Sequence, residues 1–529
     1  MKKELNLQLS PKEAYDEQVF QEVVAKRLGI KTEQHQFKAR QVKRSIDARG
    51  RQVKVNVTAE AFIDEPSTPL LSTPKAYQNV KNADQIIIVG AGPAGLFAAL
   101  RAIELGVKPI LIERGKDVRA RRRDLAAINK DHIVNPESNY CFGEGGAGTY
   151  SDGKLYTRSK KRGDIRRIME IFVSHGATEE ILVDAHPHIG TNKLPKIVTE
   201  LRESIIQAGG EVLFNTKVVD FILKDNEMVG VITQDGEQIK GLGVILATGH
   251  SARDIFHLLH AKNILIEAKP FALGVRIEHS QNLIDQIQYH CELDRGPYLP
   301  ASSYALVQQT YYKGKQRGVF SFCMCPGGFI VPAATSPGEL VVNGMSPSRR
   351  DSKFANSGIV AAVELEDLPQ YVKYGPLAAM MFQADVEKKA WEIGGKTQVA
   401  PAQRMLDFVN RKSSSSLLDT SYQPGLLSAD MHEVLPDFIS NRLVDAFQAF
   451  GKKMKGYCTN ESQLIGVESR TSSPVRIPRI KETFEHPIIK RLYPCAEGAG
   501  YAGGIVSAAM DGERCAEHLI EMYVRNNLH

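Results

Sequence analysis

The chain of 529 residues contains few cysteines and no long apolar run. Its seven cysteines are scattered and odd in number, which predicts reduced thiols and a cytoplasmic location rather than a disulfide framework. No stretch approaches roughly 18 uninterrupted apolar residues, so we expect no membrane span. The first residues, MKKELNLQLSPKE, hold a basic pair but no apolar core, so we expect no secretion signal. No set of cysteines and histidines has the spacing of zinc ligands, and we therefore expect no metal site.

The excess of positive charge is also small. A net charge of +6 is weak evidence for a nucleic-acid partner, although it is compatible with anionic ligands. The basic residues near the N-terminus lack the interleaved aromatic residues of a base-stacking platform, which favours a solvated strand face over a nucleic-acid footprint. These residues are Lys38, Arg40, Lys43, Arg44, Arg49, Arg51 and Lys54. We expect a small-molecule substrate and no nucleic acid, and the sequence leaves the oligomeric state open.

Changes in composition and hydrophobic periodicity along the chain predict three globular parts and a linker. The N-terminal segment holds a capping box of Ser10 with Glu13, a helical stripe ended by Gly29, and two strand-like runs. Its β-α-β-β order suits half of a ferredoxin-like fold. Further along, apolar strands alternating with helices predict an α/β domain, which a lobe of short β runs interrupts. The predicted boundaries are 1–63 for the N-terminal unit, 64–81 for the linker, 82–265 and 466–529 for the two parts of the α/β domain, and 266–465 for the lobe.

A dinucleotide-binding pattern begins at the apolar strand 85–89. The strand leads into Gly90-Ala-Gly92-Pro-Ala-Gly95, an amphipathic helix follows, and a second strand ends at Glu113. Gly90 permits the tight turn, Gly92 lets the backbone approach a pyrophosphate, and Gly95 lets the helix pack closely on the strand. The free amides of the helix N-terminus face the phosphates. Glu113 is placed to accept hydrogen bonds from an adenosine ribose.

Three further segments decide between FAD and NAD. Residues 244–249 are a strand ending in Ala-Thr-Gly, residues 143–155 are rich in glycine, and residues 493–505 are a strand, Glu497 and a glycine-rich entry to a C-terminal helix. Together they resemble the FAD-dependent oxidoreductases of the glutathione-reductase-like superfamily. The resemblance implies that 143–155 lies along the pyrophosphate and flavin, and that the last motif sets a helix N-terminus beside the flavin pyrimidine ring. Glu497 stands where that superfamily usually has Asp.

Four motifs carry a closer resemblance, to the bacterial FAD-dependent dehydrogenases, also called NAD(FAD)-utilising dehydrogenases. They are Ser151-Asp-Gly-Lys-Leu155, Pro187-His-Ile-Gly-Thr191, Cys323-Met-Cys-Pro-Gly-Gly328 and Arg470-Thr-Ser-Ser-Pro-Val-Arg476. The resemblance covers nearly the whole chain and implies FAD as the cofactor and a small domain before the flavin domain, but no particular substrate. No second G-x-G-x-x-G follows a strand, so NAD(P)H is a possible electron donor without a domain of its own.

The residues that we expect to bind FAD come from each of these segments. They are Gly90, Gly92, Pro93, Ala94, Gly95, Glu113, Arg114, Gly145, Gly146, Ala147, Thr149, Ser151, Lys154, Val218, Ala247, Thr248, Gly249, Glu497, Gly498, Gly503, Gly504 and Ile505. Lys154 belongs both to this set and to the candidates for catalysis.

The other candidates for catalysis follow from side-chain chemistry. Cys323 and Cys325 form a C-x-C pair, which is either structural packing on a strand, the favoured interpretation, or a redox pair or nucleophile. His188 or Lys193 lies either at the mouth of the active site, where an imidazole could act as acid or base, or in a turn whose histidines cap a helix. Arg470 and Arg476 flank a loop that returns to the FAD domain, where a guanidinium could clamp a substrate carboxylate or stabilise reduced flavin. For each arginine the alternative is a solvated charge or a bridge between lobes.

We therefore predict an α/β protein with a discontinuous Rossmann-type FAD-binding domain, an inserted β-rich lobe and a small N-terminal ferredoxin-like α+β unit. The predicted function is that of an FAD-dependent oxidoreductase for a small anionic metabolite, with the flavin N5 as redox centre. Two alternatives remain open. One is a flavin-dependent RNA-modifying enzyme, suggested by the basic N-terminal unit, and the other is a non-catalytic flavin-bound sensor.

Overall fold

The structure is a computed structural model that describes residues 1–71, 76–157 and 163–525. Its N-terminal unit consists of β1 (Lys2–Leu9), α1 (Pro11–Tyr15), α2 (Glu17–Leu28), β2 (Phe37–Asp47) and β3 (Lys54–Ile63). The sheet order is β1-β3-β2 and both pairings are antiparallel, so β3 lies between two strands that run in the same direction. This split arrangement is half of a ferredoxin-like fold, and the prediction of such a unit is confirmed.

The capping box and the glycine helix end that the sequence predicts are both present in the N-terminal unit. The hydroxyl of Ser10 accepts a hydrogen bond from the Glu13 amide at 3.4 Å, and the Glu13 carboxylate accepts one from the Ser10 amide at 2.8 Å. Helix α2 ends at Gly29, whose φ of 67° is in the left-handed region that favours glycine. Phe20 and Val24 of α2 are buried and form the core of the unit with the sheet.

Two basic residues of β2, Arg40 and Arg44, are engaged with acids. The Arg40 Nε donates to Glu60 at 2.9 Å, and the Arg44 Nε donates to Asp184 at 2.7 Å. The second pair also joins the N-terminal unit to the α/β domain, because Arg44 and Asp184 form a parallel β-bridge. These ion pairs support the interpretation of the basic run as a strand face rather than a nucleic-acid footprint.

A five-stranded parallel sheet forms the centre of the α/β domain, in the order β22-β10-β4-β5-β6. β22 lies near the C-terminus of the chain and pairs with β10, so the two predicted parts share one sheet and the domain is discontinuous, as expected. The elements before the lobe are β4 (Gln85–Val89), α3 (Pro93–Glu104), β5 (Lys108–Ile112), α4 (Val118–Lys130), α5 (Ile165–Ser174), α6 (Leu194–Gln207), β6 (Glu211–Leu213), β7 (Val218–Lys224), β8 (Glu227–Thr233), β9 (Gln238–Lys240), β10 (Val244–Leu246) and α7 (Arg253–Ala261).

The central sheet is covered on both faces. Ile86 and Ile88 of β4 pack on the side of α3 and the C-terminal helix, whereas Ile87 and Val89 pack on the side of α7 and the small antiparallel sheet β7-β8-β9. Because both faces are buried, these strands are continuously apolar, as in other parallel sheets.

The lobe is built on a seven-stranded sheet in the order β13-β14-β17-β12-β20-β18-β19, antiparallel except for β18 with β19. Its elements are β11 (Glu267–Ala268), β12 (Phe271–Ser280), α8 (Gln281–Tyr289), β13 (Val307–Tyr312), β14 (Lys315–Cys325), β15 (Phe329–Pro332), β16 (Val342–Met345), β17 (Phe354–Val363), α9 (Ala378–Ile393), β18 (Ala400–Arg404), α10 (Met405–Val409), β19 (Leu426–Ser428), α11 (Met431–Val434), α12 (Asp437–Lys453) and β20 (Gln463–Glu468). The chain then returns through β21 (Val475–Arg476), β22 (Leu492–Pro494) and α13 (Ile505–Ile520). The β-rich lobe is thus confirmed, while its boundaries stay predictions.

The predicted linker 64–81 includes residues 72–75, which lie outside the described residues. In its described part Val80 is buried, and its amide donates to the Ala208 carbonyl at 2.8 Å. Among the helices of the described ranges, we find none with the length and apolar character needed to cross a membrane.

Candidate functional site

A cleft opens at the carboxyl ends of β4, β5 and β10, where an open α/β sheet usually binds its ligand. It encloses about 1090 Å³ when its mouth and the adjoining solvent space are included. Most of the predicted FAD-binding residues line it. They are Gly90, Gly92, Pro93, Ala94, Glu113, Arg114, Gly146, Ala147, Val218, Ala247, Thr248, Gly249, Glu497, Gly503, Gly504 and Ile505.

The first glycine turn has the close contacts that its sequence predicts. A Cβ on Gly90 would lie 2.4 Å from the Ala247 carbonyl oxygen, and one on Gly95 would lie 1.9 Å from the Gly90 carbonyl oxygen. A Cβ on Gly92 would meet no protein atom within 4 Å, although Gly92 lines the cleft. The room beside Gly92 is therefore available to a ligand, and the turn fits a pyrophosphate at the N-terminus of α3.

Glu113 joins three loops around the cleft. One of its carboxylate oxygens accepts from the Ala91 amide at 2.9 Å, and the other accepts from the amides of Gly115 and Gly143, each at 2.9 Å. Sequence reasoning predicted a ribose partner here and missed this second role. The residue lines the cleft as well, so ribose binding stays a prediction.

Arg114 and Lys217 line the same end of the cleft but are held in ion pairs. Arg114 donates to Glu137 at 2.6 Å and to Asp254 at 2.9 Å, and Lys217 donates to Glu137 at 2.9 Å. Val218, which starts β7, follows directly. The cations at this end are therefore largely neutralised by neighbouring carboxylates.

The last glycine motif places the N-terminus of α13 at the cleft through Gly503 and Gly504. Glu497 accepts from the Ser473 amide at 2.9 Å, so the loop between Arg470 and Arg476 does reach this motif. Burial raises the pKa of the Glu497 carboxyl, while the Ser473 amide and the charge of Lys269 oppose that shift.

Six predicted FAD-binding residues are outside the cleft lining, and most of them support it from behind. The Gly145 amide donates to Ala91 at 2.8 Å, the Thr149 hydroxyl to Glu144 at 3.1 Å, and the Ser151 hydroxyl to Gly148 at 2.7 Å. The other three are Gly95 in the first turn, Gly498, where a Cβ would come within 2.8 Å of the Gly249 backbone, and Lys154, which belongs to a second group described below.

Arg470 lies behind the cleft in a buried ion-pair network. It donates to Glu339 at 2.6 Å and to Glu387 at 3.0 and 3.1 Å, and Arg253 donates to the same two carboxylates. Burial would raise the pKa of Glu387, but Arg253 and Arg470 hold it at about 2. Burial, followed by these two arginines, lowers the pKa of His250 to about 4. His250 also lines the cleft. Sequence reasoning did not predict this residue, although its position directly after the predicted Gly249 was a signal that could have found it.

Arg476 is in a different environment. It is exposed on β21, and its guanidinium lies 5.7 Å from the centre of the Tyr501 ring. Neither Arg470 nor Arg476 is part of the cleft lining. Their predicted contact with substrate or flavin therefore remains untested, and Arg470 has partners that suffice for a structural role.

Two of the family motifs meet where the lobe contacts the α/β domain. Lys154 and His188 form an antiparallel β-bridge, and Asp152 binds Arg350 of the lobe at 3.0 and 2.5 Å. The His188 Nε2 donates to the Ser348 carbonyl at 3.1 Å. Burial lowers the pKa of His188, and the nearby Arg350 charge adds to that effect, so the imidazole is neutral at pH 7.

Cys323 completes this group at an irregular point of β14. Its φ is 45°, which is strained for a residue other than glycine, and the register with β17 shifts between Phe322 and Cys325. Lys154 donates to the Met324 carbonyl. We refer to Asp152, Lys154, His188, Cys323 and Arg350 as the junction cluster.

Arg276 lies beneath this turn. It donates to the Cys323 carbonyl at 2.6 Å and is paired with the buried Glu468 at 2.5 Å. The pKa of Cys323 is lowered to about 5 because the Cys325 thiol donates to it, although burial opposes this, and Lys154 and Arg276 add positive charge. The pKa of Cys325 is raised by the same interaction.

One group of side chains in the described ranges has the geometry of metal ligands, namely Cys495, Asp511 and Cys515. Arg479 donates to both oxygens of Asp511, at 2.8 and 2.7 Å, and the Ala496 amide donates at 2.7 Å. Because both oxygens of Asp511 already bind the Arg479 guanidinium, these three side chains are poorly suited to bind a metal ion.

Comparison with known proteins places the chain in a family. An uncharacterized protein of Clostridium beijerinckii is 40% identical over 499 residues, which are 91% of this chain and 92% of that protein. This chain belongs to the family of that clostridial protein. A family described as FAD-dependent protein, C-terminal domain-like, matches residues 270–471, and a domain of unknown function matches residues 1–62.

More distant relatives match parts of the chain. A tRNA uridine 5-carboxymethylaminomethyl modification enzyme of Alkaliphilus metalliredigens is 29% identical over 31% of this chain and 24% of its own length. A thiamine thiazole synthase of Methanococcus maripaludis is 28% identical over 37% of this chain and 66% of its own. Among solved structures, glycine oxidase from Bacillus cereus covers 84% of this chain and 97% of its own, with 13% identity and a TM-score of 0.31, too distant to bear on function.

The match to an FAD-dependent family and the cleft at the glycine turns agree with the sequence prediction. The protein is an FAD-binding flavoprotein of the oxidoreductase type. The narrower assignment to a dehydrogenase stays a prediction, as does a cytoplasmic location.

Proposed function

We propose that this protein is an FAD-dependent oxidoreductase for a small anionic metabolite, with NAD(P)H as a possible electron donor. When bound, FAD supplies hydride or electron transfer at its N5. The observation that carries the proposal is the convergence of separate chain segments on one cleft. Gly92, Glu113, Gly249 and Gly503 come from different parts of the chain and line the same cavity.

The proposed role of the protein around FAD is to hold a long anionic ligand in one orientation. Two helices, α3 and α13, begin at the cleft, and their free amides favour negative charge. Gly92 and Gly249 leave room beside the backbone, since a Cβ on either would meet no protein atom within 4 Å. This combination suits a diphosphate and a flavin better than a compact ligand.

The junction cluster is our candidate for substrate recognition. Its Lys154 side chain is 37% exposed, whereas its partner Asp152 is 1% exposed. The side chain is therefore reachable from solvent, and its ammonium, which donates one N–H to the Met324 carbonyl, has further N–H groups that could bind a carboxylate or phosphate. We propose that Lys154 binds the anionic group and that neutral His188 provides a proton-transfer group beside it.

The test begins with the purified protein, which should release FAD on heating. Anaerobic mixing with NADH and with NADPH, followed by a screen of anionic metabolites for reoxidation of the flavin, would identify donor and substrate. FMN, or the absence of flavin, would contradict the cofactor assignment. Bound FAD that no donor or metabolite reduces or reoxidises would favour the sensor alternative.

Substitution of Lys154 then tests the substrate site. Lys154→Met should raise the KM for the anionic substrate by about tenfold or more with little change in FAD content, because an ion pair to the ligand is lost. Lys196→Met is the matched control, because Lys196 is an exposed lysine of α6. Equal KM values for the Lys154 variant and the wild type would remove Lys154 from the substrate site.

A further inference from the structure

Arg121 of α4 is a fully buried arginine that sequence reasoning did not single out. Three other arginines of this helix, Arg119, Arg122 and Arg123, are exposed, whereas Arg121 is 0% exposed. The helix directs it against the loop that precedes the glycine-rich wall of the FAD cleft. A Cβ on Gly143 would lie 2.6 Å from the Arg121 Cδ, so the arginine stem occupies the space of a side chain at position 143.

All three hydrogen bonds of Arg121 go to backbone carbonyl oxygens. Its Nε donates to Asn139 at 2.7 Å, and its Nη1 donates to Glu144 at 2.9 Å and to Gly146 at 3.0 Å. The guanidinium carbon lies 5.0 Å from the centre of the Tyr150 ring. Its Nη2 is buried and has no hydrogen-bond partner among the described residues.

Two other buried arginines are paired with carboxylates, whereas buried Arg442, like Arg121, donates to backbone carbonyl oxygens, those of Thr310 and Lys315. Arg276 is paired with Glu468 at 2.5 Å, and Arg470 with Glu387 at 3.0 Å. A buried cation that lacks such a partner is costly, because carbonyl dipoles and an aromatic ring compensate a full charge only in part. Arg121 therefore has unused capacity to bind an anion.

The anion that the cleft would hold is close to this charge. Gly146, whose carbonyl accepts from Arg121, lines the cleft, and a Cβ on Gly146 would lie 3.2 Å from the Gly92 Cα. Gly92 caps the N-terminus of α3, where the glycine turn leaves space for a diphosphate. The peptide group of Gly146 thus separates Arg121 from the part of the cleft where we expect the phosphates.

We infer that Arg121 is a positioning residue that holds the loop 143–148 against bound FAD and supplies a positive charge that the diphosphate of FAD compensates. The inference rests on FAD as cofactor, and it is independent of the substrate and of the redox reaction. It predicts that the charge of Arg121 contributes more to diphosphate binding than to the stability of the protein without ligand.

The test compares ADP with adenosine, which differ in the diphosphate, on full-length protein stripped of flavin. Arg121→Gln removes the charge and keeps two N–H donors for the three carbonyl oxygens. We expect it to weaken ADP binding by about tenfold or more and adenosine binding by less than about twofold. Arg123→Gln, at an exposed position of the same helix, is the control and should change neither. Calorimetric titration provides both affinities.

A second measurement separates a charge from a merely structural support. If the inference holds, the Arg121→Gln protein without flavin melts at or above the wild-type temperature, and added FAD raises its melting temperature less than it does for the wild type. Equal losses for ADP and adenosine, or a lower melting temperature without ligand together with a normal FAD-induced rise, would overturn it. If the Gln variant does not fold, Arg121→Lys carries the test, because it keeps the charge. The inference then requires purified Arg121→Lys to retain its FAD, and loss of FAD from a folded variant would refute it.

Discussion

The candidate FAD cleft takes seven of its lining residues from glycine turns, whereas the junction cluster consists of charged, imidazole and thiol side chains. Within the first turn the decisive contact joins Gly90 and Gly95, which are neighbours in sequence. Within the junction cluster Asp152 binds Arg350, a residue 198 positions away. A cofactor common to many enzymes can be held by a local backbone motif, but recognition of a particular substrate requires side chains that only the tertiary fold assembles.

The largest effect should come from filling the space beside the first turn. Gly92→Val should reduce the FAD content of the purified protein to below roughly a tenth of that of the wild type, because the branched side chain occupies the place of the pyrophosphate. The protein itself should still fold, since a Cβ at this position meets no protein atom within 4 Å. Absorbance of released flavin and circular dichroism check the two statements.

Gly95→Ala is the contrasting variant. Its Cβ would lie 1.9 Å from the Gly90 carbonyl oxygen, so the fold as well as FAD binding should suffer. Normal flavin content in Gly92→Val would remove Gly92 from the cofactor site.

The next largest effect concerns the buried network behind the cleft. Glu387→Gln should lower the free energy of unfolding at pH 7 by about 3–5 kcal/mol, because it leaves Arg253 and Arg470 with one carboxylate fewer. Urea unfolding of the full chain measures this. Glu392→Gln, on the exposed side of α9, is the control and should cost below about 0.5 kcal/mol. A similar small cost for Glu387→Gln would show that the network contributes little.

The destabilisation caused by Glu387→Gln should depend on pH, and the pKa of Glu387 gives the direction of that dependence. Because the folded protein lowers the pKa of Glu387 from 4.5 to about 2, ionised Glu387 stabilises the fold above pH 4.5, and this contribution is lost as the pH falls from 4.5 toward 2. The stability difference between the wild type and Glu387→Gln should therefore narrow across this range.

A third prediction concerns the junction cluster. With a pKa of about 5, Cys323 should react with iodoacetamide at nearly the same rate at pH 6 and pH 8. A thiol with the unperturbed pKa of about 8.5 should react about 75-fold faster at pH 8 than at pH 6, in proportion to its thiolate fraction. Mass spectrometry of the labelled peptides checks this, with half-buried Cys458, whose pKa is raised by burial, as the internal control. A rate for Cys323 that rises as steeply as that of Cys458 would contradict the prediction.

The smallest effect is expected at Arg476. Because this residue is exposed and outside the cleft lining, Arg476→Lys should change the free energy of unfolding by only a few tenths of a kcal/mol and leave FAD content unchanged. Thermal unfolding and flavin absorbance test this. Slower flavin reduction in a stable Arg476→Lys protein would return this residue to the active site.

Much of the candidate cofactor site could be predicted from the sequence because its signals are local. The strand, the glycine turn and the helix around Gly92 lie within one continuous segment, and each glycine has a task that depends on its immediate neighbours. The second role of Glu113 was not accessible, because its carboxylate binds the amide of Gly143, 30 residues away. The burial of Arg121 could not be predicted for a similar reason, because only the packing of α4 distinguishes this residue from the exposed arginines beside it.

The sequence alone therefore determined the fold class, the cofactor and the glycine turns that line the cleft, because strand and helix periodicity and glycine spacing act over short distances. The tertiary structure alone decided which charges are neutralised and which remain available. It pairs Arg470 with Glu387 across 83 positions, and it leaves Arg121 without a carboxylate among its hydrogen-bond partners. The physical reason is that the free energy of a buried charge depends on its neighbours in space, and a linear pattern does not specify them.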